Sequence, residues 1–135
     1  MAEEMSQANI HFIGIVHSVL KKREDCPRQG SEQAPGATIH IFDEYMEGIA
    51  DLKEGDEIII LTWLHESDRS VLKCHPRNRK DIRLTGVFST RSPDRPNPVG
   101  LHPVKVLTVS GNTIEVSGIE VIDGTPVIDI KPDRK

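Results

Sequence analysis

Arginine and asparagine residues alternate with three prolines between Gly86 and Pro103, in the segment GVFSTRSPDRPNPVGLHP. Proline restricts its own backbone and favours extended conformations at the residue before it, so this segment is a stiff loop. A stiff loop loses little conformational entropy when it binds a ligand. Guanidinium groups bind carboxylates and phosphates with two parallel hydrogen bonds, so Arg91 and Arg95 predict a site for an anionic ligand. Asn97 adds a donor and an acceptor. The alternative is a structural crossover loop whose arginines form surface ion pairs.

The basic residues are concentrated in one part of the chain. The formal net charge is −4, which by itself argues against a nucleic-acid partner. Residues 69–105, however, hold nine Lys and Arg against two Asp, so this segment carries +7 and the rest of the chain −11. Such asymmetry is typical of a surface that binds an anionic partner, although a solvated loop in an otherwise acidic protein would give the same pattern.

Short apolar and β-branched segments, separated by glycine- and proline-rich turns, predict an all-β fold. The connections Lys21–Gly36 and Glu66–Asp81 are long, and one or two helical turns are expected within Tyr45–Leu52. The pattern favours a single small β-barrel with long functional loops and little helix, or a sandwich. We expect residues 1–8 to be a flexible N-terminus and 9–135 to form the domain. The predicted strands are Ile10–Ser18, Ala37–Phe42, Glu57–His65, Ile82–Thr90, Leu101–Val109, Thr113–Val121 and Val127–Ile130.

Several common kinds of site have no counterpart in the sequence. No predicted strand leads through a GxGxxG turn into a helix, which excludes the usual dinucleotide-type cradle for an adenosyl group. Cys74-His75 has no second ligand pair at zinc-binding spacing, so no metal is expected. No apolar run approaches the length of a signal peptide or a membrane span. We therefore expect a cytoplasmic protein with free thiols.

Five motifs occur in order along the chain. They are Ile13-Gly14-Ile15 with Ser18; Cys26-Pro27-Arg28-Gln29-Gly30; Trp63-Leu64-His65; GVFSTRSPDRPNPVGL; and DGTPV from Asp123 with DIKP from Asp129. In this series the chain resembles the TsaA-like, TrmO-type family of S-adenosylmethionine-dependent tRNA methyltransferases. It departs from the family pattern at Val19-Leu20 and at Asp133, and it is expected to lack the C-terminal domain of longer members.

The resemblance implies a barrel that binds S-adenosyl-L-methionine and methylates N6 of threonylcarbamoyladenosine, beside the tRNA anticodon. It also implies a homodimer with the cofactor near the interface. The cofactor residues carried over by position are Pro27, Arg28, Gln29, His65, Arg91, Leu101, Asp123, Gly124, Thr125 and Pro126. The residues expected to follow the anticodon loop of tRNA are Arg77, Arg79, Lys80, Arg95 and Asn97. The alternatives are a cofactor-binding or RNA-binding barrel without turnover, and a methyltransferase with another acceptor.

Roles within this set are partly open. Arg28 or Arg91 would hold the cofactor carboxylate, and Leu101 would pack against the adenine face. The acceptor nitrogen is a poor nucleophile and would benefit from losing its proton as the bond forms. Asp123, Asp129 and His65 are the candidate proton acceptors, and the sequence does not choose among them.

Overall fold

A computed structural model describes residues 6–21, 36–76 and 79–134 of the chain. The all-β prediction is confirmed, because strands provide most of the regular structure in this part. The strands are β1 (Gly14–His17), β2 (Ala37–Ile41), β3 (Glu57–Trp63), β4 (Lys73–Cys74), β5 (Thr85–Gly86), β6 (Val99–Ser110), β7 (Thr113–Val116) and β8 (Pro126–Pro132). Short 3-10 helices cover Asp43–Ile49 and Val87–Ser89.

Six antiparallel strands close into a ring in the order β1-β2-β7-β6-β3-β8, while β4 and β5 form a separate two-stranded ribbon. The longest pairing joins β3 to β6, from Glu57 opposite Lys105 to Trp63 opposite Val99. The ring closes through a short pairing of β1 with β8, in which Gly14 lies opposite Val127. A closed ring leaves none of its strands as an edge that could pair with another chain.

The core of the barrel consists almost entirely of β-branched side chains that alternate inward along the strands. Along β6, every second residue from Gly100 to Val106 is buried, and β3 buries Ile58, Ile60 and Thr62 in the same way. A strand points successive side chains to opposite faces, so this alternation places one face of each strand in the core. Gly14 is required because a Cβ there would collide with the backbone carbonyl of His40 on β2.

The predicted strands of the barrel are present, although β1 and β7 are shorter than predicted, and one connection was predicted wrongly. A hairpin with Gly111 at φ +60° joins the predicted strands Leu101–Val109 and Thr113–Val121. The predicted strand Ile82–Thr90 is wrong: only Thr85–Gly86 is strand, and a 3-10 turn follows it. The Val87 carbonyl accepts hydrogen bonds from Thr90, three residues on, and from Arg95, eight residues on, and these bonds hold the chain in a bend. Within the described residues, no helix has the length and apolar character needed to cross a membrane.

Candidate functional site

The antiparallel order of the ring brings three of the connections between its strands to one end of the barrel. β1, β3 and β7 all finish at this end, and β2, β6 and β8 begin there. The connections are residues 18–36, 64–98 and 117–125, the first described only at its ends and the second without residues 77 and 78. Every residue predicted for the site lies in one of these connections except Leu101 and Pro126. We refer to this end as the loop end.

Asp123 is tied to the end of β1. Its carboxylate accepts a hydrogen bond from the Ser18 amide at 3.0 Å and one from Lys21 Nζ at 3.2 Å, and His17 Nδ1 lies 3.6 Å away. The Ser18 amide, and after it Lys21, holds the pKa of the Asp123 carboxyl below its usual range. Asp123 is therefore ionised at neutral pH and a weak base, which suits an electrostatic role better than proton abstraction.

The turn that carries Asp123 is built from backbone hydrogen bonds. The Gly124 amide donates to the Val16 carbonyl at 2.8 Å, and the Val16 amide donates to the Thr125 carbonyl at 2.9 Å. The Thr125 hydroxyl is buried and donates to the Ile122 carbonyl at 2.7 Å, so this side chain stabilises its own turn. Gly124 has φ +88° and open space around its Cα, which leaves the backbone accessible to a ligand.

A cleft of about 520 Å³ lies beside this turn, on the outer surface at the loop end. The volume is within the range of small-molecule sites. Its lining mixes charges of both signs with apolar surface, and it includes His17, Lys21, Leu107, Glu115 and Asp123. The cation of this cleft, Lys21, is paired with one of its two carboxylates, that of Asp123. Lys21 was not predicted for the site, because its partner Asp123 is 102 residues away in the sequence.

The proline-rich loop places its two arginines differently. The terminal nitrogens of Arg95 donate to the carbonyls of Val87, Thr90 and Ser92, so its guanidinium stabilises the loop from within. Arg91 is exposed, and no ion pair or hydrogen bond of its side chain is found within the described ranges. Arg91 is thus available to an anionic ligand, whereas the terminal N–H groups of Arg95 are engaged by the protein.

Arg69 holds the second half of the same loop. Its guanidinium lies over the Trp63 ring, with Cζ 5.1 Å from the ring centroid. It donates to the Pro96 carbonyl at 2.6 Å and to Asn97 Oδ1 at 3.2 Å. These bonds leave the exposed Asn97 amide group as a donor toward solvent. Arg69 was not predicted for the site, and only its place in the basic segment pointed to it.

His65 and Leu101 lie apart from the Asp123 turn. His65 is exposed, two residues beyond the end of β3. Leu101 is 42% exposed on the outer face of β6, opposite Leu61 of β3, which in turn lies opposite Asp129 of β8. Neighbouring strands lie about 4.8 Å apart, so two strand spacings, roughly 10 Å, separate Leu101 from β8. A single chain therefore does not bring Leu101 against the turn that precedes β8.

A buried polar network fills the barrel just below the loop end. Thr62 Oγ1 and His102 Nε2 are 2.8 Å apart, and His102 Nδ1 lies 3.3 Å from Glu120 Oε1. In the tautomer in which Nδ1–H donates to the Glu120 carboxylate, Nε2 accepts from the Thr62 hydroxyl. Gly100 makes room, because a Cβ there would lie 2.5 Å from both His102 and Thr62. The network connects β3 and β6 to the 117–125 connection, and no local sequence pattern indicates it.

The remaining predicted residues are dispersed. Arg79 forms an ion pair with Asp81 at 2.7 Å, so its charge is partly neutralised, while Lys80 is exposed. Asp129 accepts from the Ile130 amide at 2.8 Å and lies 3.4 Å from Lys131 Nζ. Pro27, Arg28, Gln29 and Arg77 lie outside the described residues. Across 6–21, 36–76 and 79–134 there is no group of three or more His, Cys, Asp or Glu side chains arranged to hold a metal.

Comparison with known proteins identifies relatives over almost the whole chain. A "Probable S-adenosyl-L-methionine-binding protein VirR" of Rhizobium radiobacter is 43% identical over 131 residues, which are 97% of this chain and 74% of that protein. A "Probable S-adenosyl-L-methionine-binding protein" of Methanothermobacter thermautotrophicus is 44% identical over 126 residues, which are 93% of this chain and 90% of the relative.

The fold also matches solved structures. A crystal structure of TrmO from Pseudomonas aeruginosa superposes with a TM-score of 0.76 at 27% sequence identity, over 96% of this chain. The chain spans just over half of that protein, 57% of its length. The sequence model described as the tRNA-methyltransferase O N-terminal domain matches residues 15–134. The chain therefore belongs to the family of the tRNA-methyltransferase O N-terminal domain.

Proposed function

We propose that this chain binds S-adenosyl-L-methionine at the loop end and uses it to methylate tRNA. The observation that carries the proposal is the position of the family motifs. The described motif residues of three separate connections, with Arg91 and Asp123 among them, lie at one end of the barrel, and a cleft of about 520 Å³ lies beside the Asp123 turn. The names of the curated relatives and the family of the chain support the cofactor.

The charged and polar groups at the loop end fit this cofactor. Arg91 is an exposed guanidinium on a stiff loop and suits the carboxylate of the methionine part. The ionised Asp123 would attract the ammonium or sulfonium charge, and the accessible backbone at Gly124 can bond the adenine edge or the ribose. When bound, the cofactor supplies an activated methyl group, so the main work of the protein is to position it.

A second copy of the chain would complete this site. Leu101 is the proposed adenine contact, yet two strand spacings separate it from β8. The outer face of β3 and β6 around Leu101 is apolar, with Val99 and Leu101 exposed at 40% and 42% and Leu61 half-buried beside them. Exposed apolar patches of this kind mark contact surfaces. A homodimer through this face would place Leu101 of one copy near the turn of the other.

The proposed acceptor is N6 of threonylcarbamoyladenosine beside the anticodon, in the cytoplasm where tRNA is modified. The charge distribution supports an RNA substrate, because Lys80 and other exposed cations belong to the basic 69–105 segment. Asp123 is a weak proton acceptor, since its pKa is lowered. Asp129 lies beside Lys131, and His65 is exposed. We assign the role of proton acceptor to none of these three residues.

Binding without turnover is the second candidate function. One observation favours it: the relatives matched over most of their own length are named as binding proteins only, whereas the chain covers just over half of the solved TrmO structures. The family tie to tRNA methyltransferases favours turnover. Methyl transfer itself is therefore the property that separates the two functions.

Calorimetric titration tests the cofactor site. We expect S-adenosyl-L-methionine to bind with a micromolar Kd or tighter, about 8 kcal/mol. Arg91→Lys should weaken binding at least ten-fold, about 1.4 kcal/mol, because an ammonium cannot form the paired hydrogen bonds of a guanidinium. Arg134→Lys is the matched control, since Arg134 is exposed just after β8 at the opposite end of the barrel. No binding at millimolar cofactor would exclude the proposal, and an unchanged Arg91→Lys would remove Arg91 from the site.

A further inference from the structure

Phe88 is the most exposed of the large apolar side chains in the described part of the chain, with 81% of its surface accessible. Aromatic side chains of this size are usually half-buried or more, because burying them removes a large apolar area from water. Phe88 belongs to no ring pair or cation–π contact within the described ranges. It has no role in the proposed cofactor site, so its exposure needs its own explanation.

The backbone that carries Phe88 is held in place. Its neighbour Val87 is 1% exposed, and the Val87 amide donates to the Leu72 carbonyl at 3.0 Å. The Val87 carbonyl accepts from the Thr90 amide at 3.0 Å, from the Thr90 hydroxyl at 2.9 Å and from Arg95. The ring thus projects from a fixed 3-10 turn. A preorganised group binds with a smaller entropic cost than a mobile one.

The surroundings of Phe88 combine apolar and basic side chains, since Leu72 and Leu84, beside the β4–β5 ribbon, are 62% and 48% exposed. Lys73 and Arg83, on and beside the β4–β5 ribbon that leads into the turn, are exposed, and neither has an ion pair among the described residues. Asp81, the acidic residue nearest to Arg83 in the chain, is already paired with Arg79. Gly86 precedes the turn, and a Cβ there would meet no atom within 4 Å, so the surface beside the ring is open.

An exposed aromatic ring among free cations fits one chemical class of partner better than others. Unpaired nucleotides offer a base for stacking and a phosphate for ion pairing, and proteins bind single-stranded RNA through this combination. A protein partner that covered Phe88 would have to cover the unpaired Lys73 as well, and lysine is depleted at the centres of protein interfaces.

We propose that Phe88 stacks against an unpaired base of the RNA substrate, while Lys73 and Arg83 neutralise the adjacent phosphates. The proposal rests on the proposed function in one respect, since it takes RNA to be the substrate. It adds a base-binding position outside the cofactor residues.

Binding of a fluorescent anticodon stem-loop RNA, followed by anisotropy, tests this position. Phe88→Ala should weaken binding about ten-fold, about 1.4 kcal/mol, because it removes the stacking of the ring on a base. Phe88→Leu should weaken it similarly, since it keeps an apolar group without a π face, and Phe88→Trp should stay within about three-fold of the wild type. Met46→Ala is the control, because Met46 is 40% exposed at the opposite end of the barrel.

The outcomes separate this inference from the function on which it rests. Calorimetry should show that Phe88→Ala binds S-adenosyl-L-methionine like the wild type. If wild type and Phe88→Ala bind the RNA equally, the stacking role is wrong and the RNA substrate stands. If Phe88→Ala changes only the sedimentation of the protein, the ring lies between two copies and the proposal is overturned. If the wild type binds cofactor but no RNA, both this inference and the RNA substrate fail.

Discussion

Replacing Arg95 by lysine tests whether the proline-rich loop is held from within. The two terminal nitrogens of Arg95 donate to three backbone carbonyls, those of Val87, Thr90 and Ser92. Hydrogen bonds from a charged donor contribute about 1.5–3 kcal/mol each, and we take the lower limit because Arg95 is only half-buried. A lysine ammonium carries its three N–H groups on one nitrogen, so it cannot reach three separate carbonyls, and we expect it to keep one of them. The loss of two carbonyl partners then gives a destabilisation of about 3 kcal/mol.

Urea denaturation and native-state hydrogen exchange measure this effect together. Exchange at the Thr90 amide, which bonds the Val87 carbonyl, detects opening of the loop even where the barrel stays folded. Arg91→Lys is the matched control and should change stability by no more than about 0.5 kcal/mol, as exposed positions do. It should still weaken cofactor binding. If Arg95→Lys changed neither the urea midpoint nor the exchange at Thr90, the hydrogen bonds of Arg95 would not stabilise the loop.

Three further variants test other parts of the account. Asp123→Asn should be less stable than the wild type at pH 7, because a carboxylate with a lowered pKa stabilises the fold only while it is ionised. In urea titrations this difference in stability should disappear as the pH falls below 3.8. A difference that stays constant with pH would contradict this. His102→Leu should lose about 2 kcal/mol by leaving Thr62 and Glu120 unpaired, and adding Glu120→Leu should restore part of it; a fully stable single variant would contradict this. Replacing Lys73, Lys80 and Arg83 by alanine should reduce the slope of log RNA affinity against log salt by about 2; an unchanged slope would exclude them as phosphate contacts.

The barrel was largely predictable from local patterns. Strand β3 and the hairpin at Gly111 follow from β-branched runs and turn residues, which depend on neighbours in sequence. The connection between Ile82 and Thr90 was not predictable in this way. Its apolar residues fit a strand, and the bend at Val87 depends on Arg95. Local propensity yields to such tertiary hydrogen bonds.

The site was predictable in its motifs but not in its geometry. The sequence of the proline-rich loop does not distinguish Arg95 from Arg91. The folded structure shows that Arg95 points inward and Arg91 outward. The pairing of Lys21 with Asp123 and that of His102 with Glu120 join residues 102 and 18 positions apart. No repeating sequence pattern links residues so far apart, so such contacts can be recognised only once the strand order is known.

Methyl transfer to defined tRNA transcripts tests the central claim most directly. The protein is incubated with S-adenosyl-L-methionine and a transcript that either carries or lacks threonylcarbamoyladenosine beside the anticodon, and the nucleosides are then measured by mass spectrometry. We expect the N6-methylated nucleoside from the modified transcript alone, and much less of it with Arg91→Lys. Cofactor binding without methylation of either transcript, or equal methylation of both, would contradict the account.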